Sequence, residues 1–122
     1  MIGNDIIDIA YTRKTTNWQR PRFLAKVFNT KEQEYINKAN DPFLMVWQLW
    51  SMKEAAFKAY LRRGGSPFND PKRIDIVLDS QKSGEARIDS FRCPLMSSNT
   101  AHYIVSHTRK SSKHRLINKV FK

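Results

Sequence analysis

PFLMVWQLWSMKEAAFKAYLR, residues 42–62, decides how the rest of the chain reads. Asp41 followed by Pro42 is a cap residue and a first helical position, and Gly64-Gly65 is a stop. The spacing predicts one helix over about 42–62, roughly 30 Å long. Its apolar residues, from Phe43 and Leu44 through Trp47, Trp50, Phe57 and Leu61, occupy most of the circumference. That predicts a central, largely covered helix rather than a surface one.

Upstream, residues 2–9 (IGNDIIDI) alternate and are rich in Ile, so they read as a strand with Asp5 on the same face as Gly3 and Ile7. Residues 10–20 are mixed and polar and suggest no element. Pro21 opens a short helix through Phe23, Leu24 and Val27. Thr30 with Gln33 resembles a capping box, opening a helix over about 31–39. Downstream, Arg73–Asp79 and Glu85–Phe91 flank Ser80–Gly84 as a hairpin, and residues 101–108 form another strand. The basic stretch 109–122 fits either a final strand or a final helix. The order strand, helices, strands predicts an α+β fold, an antiparallel sheet packed with the long helix, as a single domain over residues 1–122.

Lys and Arg total 22 against 11 acids, a net charge of +11. No acid lies between Asp8 and Glu32, where Arg13, Lys14, Arg20, Arg22, Lys26 and Lys31 stand, and none follows Asp89. Such a chain binds something negative: nucleic acid, a membrane surface, a phosphorylated small molecule or an acidic protein. No stretch approaches the ~20 apolar residues of a membrane helix, and the N-terminus carries no signal-peptide pattern. The single cysteine, Cys93, fits a small buried hydrophobe and a reducing, cytoplasmic setting.

Two carboxylates and one ammonium stand on otherwise apolar elements. Asp5 inside an Ile-rich strand is costly unless paired, hydrogen-bonded or bound to a cation. Glu54 and Lys58 stand one turn apart; on a surface such a pair contributes only ~0.2–0.5 kcal/mol, but here Trp47, Trp50 and Leu61 share its face. If Asp5 and Glu54 converge, they offer the hard oxygen ligands Mg2+ takes, with Lys58 one turn along as a point charge for a phosphate oxygen. That set suits phosphoryl chemistry. A basic nucleic-acid-binding module accounts for the charge, but not for Asp5 and Glu54, and there is no Walker loop, dinucleotide glycine pattern or zinc spacing.

Gly3–Asp5 (GxD) and Trp50–Lys58 (WSxKEAxxK), in this order and spacing, resemble the 4′-phosphopantetheinyl transferases. The length and the placement of GxD resemble their short holo-acyl-carrier-protein synthase branch. Fainter likeness runs over Phe23–Glu32 and Lys82–Ile88. The resemblance implies an enzyme that moves 4′-phosphopantetheine from coenzyme A to a serine of an acyl carrier protein, as in lipid and fatty acid biosynthesis, releasing 3′,5′-adenosine diphosphate. By the motifs, Asp5 and Glu54 would hold Mg2+, Lys58 would bind phosphate and assist the leaving group, and Glu54 or a water it orients would take the serine proton. Lys53, Lys58, Gly64 and His107 would contact the coenzyme. The segregated basic charge, as Arg13, Arg20, Arg22 and Lys26, would dock an acidic carrier protein. A homo-oligomer, a trimer as in the short branch, is implied, with neither nucleic acid nor membrane as a partner. A homologue that binds coenzyme A or carrier protein without transfer is the remaining alternative. The chain departs from the pattern at Asn4, at the apolar Ile7 and over the C-terminal segment; Asp8 matches an acid common in the short branch.

Overall fold

The structure, a computed structural model, describes residues 3–109. The long helix lies where its sequence puts it. α4 (Pro42–Arg62) starts with Asp41, whose carboxylate accepts the Leu44 N–H, and has Pro42 in its first turn. It stops at Gly64, whose φ of +90° is the left-handed conformation that glycine takes without strain. Phe43, Val46, Leu49, Met52, Ala55, Ala56 and Ala59 are buried along it. These residues join the one buried cluster that includes Ile76, Ile88, Leu95 and Ile104 from the strands.

The sheet has five antiparallel strands: β1 (Asn4–Asp8), β2 (Asp75–Leu78), β3 (Ser83–Ile88), β4 (Phe91–Asn99) and β5 (Tyr103–Thr108), in the order β1-β5-β4-β3-β2. The α+β architecture thus agrees with the sequence, and so does the β2–β3 hairpin. β4 was not expected, because Pro94 and the polar run at its end obscure it. Pro94 turns its carbonyl to the Arg109 N–H (3.0 Å), one residue past the end of β5. Its missing donor therefore falls where the β5 ladder has run out, so the proline is tolerated inside a central strand. The outward N–H groups of edge strand β2, which have no strand partner, are met by α3 (Thr30–Lys38): Glu32 accepts from Ile76 (2.8 Å) and the Tyr35 hydroxyl from Leu78 (3.2 Å).

Three local readings shift. Residues 9–15, read as the end of a strand and a polar stretch, form α1 (Ile9–Thr15), capped by Asp8, which accepts the Tyr11 N–H at 3.0 Å. The threonines of that stretch are weak helix formers, and the cap sits inside what reads as strand. α2 (Phe23–Val27) begins two residues after Pro21, behind a left-handed Arg22 at φ 70°. The capping box of α3 is formed by Asn29 and Glu32, one residue earlier than Thr30 and Gln33. The alternatives for 109–122 fall, from residue 110 on, outside the described residues.

Candidate active site

The geometry of the site starts at Gly3. A methyl group on its Cα would stand 2.1 Å from the Ala55 carbonyl oxygen and 3.0 Å from the Ala59 nitrogen. Glycine just ahead of β1 and alanines on α4 therefore let the two backbones touch. Two residues along β1 and on the same face, Asp5 comes down onto α4 beside Glu54 and Lys58. The glycine of GxD is a spacer of zero thickness, and the alanines of WSxKEAxxK are its counterpart.

Lys58 donates to the Asn4 carbonyl (2.9 Å) and to the Asp5 carboxylate (3.3 Å). The Asp5 side chain is 16% exposed and that of Lys58 46%. Glu54, half-buried, enters no ion pair or hydrogen bond among the described residues. Both carboxyls are pushed above their ordinary range. Loss of water is the main cause for each; Lys58 opposes it at both, and the charge of Asp5 adds to it at Glu54. Two desolvated acids that feel one another, with one half-exposed ammonium between them, lack positive charge. Oxygen donors of this kind fit a small divalent cation. Among the described residues no group of three or more metal-ligating side chains occurs, so the donor set is two carboxylates, with Asp8 turned to its helix cap.

Other candidates are placed differently. Lys53, expected to contact a coenzyme, is 2% exposed, and its ammonium is bound by the Val27 carbonyl, the Glu32 carboxylate and the Pro71 carbonyl. No donor is left over, so that expectation is corrected: Lys53 is an internal tie. His107 is exposed on β5 opposite Asn4, on the face of the sheet away from Asp5, so within one chain it does not join the acids. Its neighbour Ser106 is buried and hydrogen-bonds Ser51 and Ser97. Gly64 ends α4, its N–H held by the Leu61 carbonyl. Arg13 and Arg20 are brought together on one aromatic row. The Arg13 guanidinium sits 3.9 Å over the Phe43 ring and that of Arg20 4.4 Å over Phe23, and both rings flank Trp47. Arg22 and Lys26 are exposed at the two ends of α2.

A cavity of about 170 Å³ opens beside Glu54, between Trp50 and Phe57 of α4 and the loop carrying Phe68, Asn69, Asp70 and Pro71. The sequence reading does not single out this loop; the turn-forming run SPFNDP was the available signal. A larger cleft, about 600 Å³, lies between α3, the start of α4 and the β2–β3 turn, and it contains none of the candidate residues.

A strand laid directly on a helix, with an acid pair and a lysine at the crossing, defines the class: a small α+β domain with its candidate site at the β1–α4 contact. Solved structures share this fold: holo-[acyl-carrier-protein] synthase from Neisseria meningitidis superposes with a TM-score of 0.69 over 89% of this chain and 97% of that one, at 18% identity. The Helicobacter pylori holo-[acyl-carrier-protein] synthase, solved in complex with coenzyme A, gives 0.70 over 91% and 100%, also at 18% identity. Among sequence relatives, a holo-[acyl-carrier-protein] synthase of Chlamydia trachomatis serovar D is 30% identical over 94 residues, 77% of this chain and 78% of that protein. One of Chlamydia felis is 41% identical over 58 residues, so the match spans about half (48%) of each chain. The sequence profile of the 4′-phosphopantetheinyl transferase superfamily matches residues 1–120, and the chain belongs to that superfamily.

Proposed function

We propose that this chain, acting as one domain over residues 1–122, is a Mg2+-dependent holo-acyl-carrier-protein synthase. It transfers 4′-phosphopantetheine from coenzyme A to a serine of an acidic acyl carrier protein. The observation that carries this reading is the meeting of Asp5, Glu54 and Lys58 where Gly3 seats β1 on α4. The family and the names of the relatives supply the substrate class.

Asp5 and Glu54 are the residues that would hold the divalent ion, which when bound supplies positive charge against the diphosphate of the coenzyme. Lys58 is half exposed and held by two acceptors, so its ammonium can turn to a phosphate oxygen. There it offsets charge on the leaving 3′,5′-adenosine diphosphate as the phosphorus–oxygen bond breaks and the serine oxygen takes its place. Glu54, with its carboxyl raised toward the working pH, accepts the proton of that hydroxyl directly or through an ordered water. Arg13 and Arg20, spread on the Phe43–Trp47–Phe23 row, together with Arg22 and Lys26, form the face an acidic carrier protein meets. Self-association would use the outer sheet face, where Ile6, Met96 and Tyr103 are exposed, and in an oligomer the exposed His107 would reach a neighbour's coenzyme. A cytoplasmic setting accords with the buried Cys93, whose thiol burial pushes up to about 11, and no described helix is long and apolar enough to cross a membrane.

Intact-mass spectrometry of an apo carrier protein, incubated with coenzyme A, Mg2+ and this chain, tests the proposal. The expected result is a mass gain of one phosphopantetheine that is lost when Mg2+ is chelated. No gain with any of several apo carrier proteins would overturn it.

A further inference from the structure

Lys53 and Glu32 form an ion pair with 2% and 0% of their side chains exposed. The three donors of the Lys53 ammonium go to the Val27 carbonyl (2.9 Å), Glu32 (2.8 Å) and the Pro71 carbonyl (2.9 Å). Glu32 in turn accepts from the Asn29 N–H (2.9 Å) through the oxygen that meets Lys53, and from the Ile76 N–H (2.8 Å) through its other oxygen. The end of α2, the first turn of α3, the middle of α4, the turn at Pro71–Arg73 and the start of β2 thus meet at one point.

A buried ion pair is a poor device for stability alone, because an apolar pair of like volume often does as well. What an apolar pair cannot do is hold a carbonyl at a fixed place. One of the carbonyls held here, that of Pro71, belongs to the loop that walls the cavity beside Glu54. The loop also touches α4 through the Phe68 ring on Phe57 (5.1 Å between centres), a contact that tolerates sliding; the hydrogen bond to Pro71 does not.

We infer that Lys53 is a positioning residue: with Glu32 as its fixed counter-charge, it ties the Phe68–Arg73 loop to α4 and sets the shape of the cavity next to Glu54. The inference rests on the reading of Asp5, Glu54 and Lys58 as the transferase site and gives Lys53 no contact with substrate.

The test uses the full chain with Lys53→Arg and with the double change Glu32→Leu/Lys53→Met. Each is read by thermal melting, by amide hydrogen exchange and by transfer kinetics. The double variant removes both charges and is expected to melt close to the parent. In it the amides of residues 68–74 exchange at least about tenfold faster, and kcat falls about tenfold to a hundredfold, the scale of a displaced site wall. A merely structural role restores kcat along with the melting temperature. Parental exchange over 68–74 together with parental kcat in a folded double variant would overturn the inference. Should the double variant not fold, Lys53→Arg decides. It keeps the charge but replaces a compact three-way donor with a planar fork, so loop exchange rises and kcat falls; parental values for both overturn the inference. A parent chain that transfers nothing sinks the proposed function alone, since loop exchange in the variants still reports on the tie.

Discussion

The ammonium of Lys58 reaches across to Asp5, 53 residues away in sequence, rather than back one turn to Glu54. The motif places Glu54 and Lys58 at the spacing of a helix-surface ion pair, but β1 intervenes. Asp5 and the Asn4 carbonyl take the lysine, and Glu54 faces the cavity with no ion pair or hydrogen bond among the described residues, feeling Lys58 only at longer range.

The first prediction concerns the acids themselves. Asp5→Asn and Glu54→Gln each lower transfer by about 10²–10³, the range for losing one electrostatic contact to a developing charge. Neither lowers the melting temperature of the metal-free protein, since each removes a desolvated charge. Transfer at the parental rate by both variants would disprove the site.

The pH dependence follows from the same two groups. Their carboxyls are raised in the folded state, chiefly by burial. A raised value means that the native chain holds the proton more tightly than the unfolded chain. The stability contribution is therefore present below the unfolded value and lost as pH rises through the folded one. Metal-free Glu54→Gln should melt a few degrees above the parent at pH 7 to 8. The gap should close as pH falls toward the ordinary glutamate value of about 4.3. Melting curves across pH check this, and a gap that widens on acidification contradicts it.

Much of this was readable beforehand, for identifiable reasons. α4 carries its own start at Asp41–Pro42 and stop at Gly64, so its ends needed no tertiary information. The β2–β3 hairpin likewise announces itself through the turn residues at 80–84. β4 and α1 were hidden because each depends on a partner: Pro94 is acceptable only because β5 ends beside it, and the threonines of α1 form a helix only behind the Asp8 cap. At the candidate site, the types and spacing of Asp5, Glu54 and Lys58 singled out residues that the fold brings to the β1–α4 contact. The burial of Lys53 was not legible, because its charge suggests solvent and only the fold shows that Glu32 and two carbonyls await it.

The basic face gives a third prediction. The exposed Arg13 and Arg20 lie over the largely buried rings of Phe43 and Phe23, with no carboxylate partner among the described residues. Arg13→Ala/Arg20→Ala should raise the carrier-protein KM about tenfold, acting on association rate, and leave kcat and the coenzyme A KM near parental values. The parental carrier-protein KM should itself climb with salt, and the variant's should climb less. A carrier-protein KM indifferent to both salt and mutation would show that the partner docks elsewhere.

Gly3→Ala tests whether the strand–helix contact builds the site. The added methyl would fall 2.1 Å from the Ala55 carbonyl oxygen, and because the obstacle is backbone, no side-chain rotation relieves it. β1 must then rise off α4, and Asp5, two residues on, rises with it. The urea midpoint should fall by the equivalent of about 1–3 kcal/mol, the usual cost of forcing a methyl into a filled space. Transfer measured at low temperature, where the variant is still folded, should fall about a hundredfold, because a carboxylate moved by an ångström no longer shares a ligand with Glu54. The two losses separate stability from geometry: reduced stability with parental transfer would mean that Asp5 reaches its place by some route other than the Gly3 contact. Moving the obstacle rather than the probe does not help, since Ala55→Gly leaves the carbonyl where it is, and that substitution should fail to rescue Gly3→Ala.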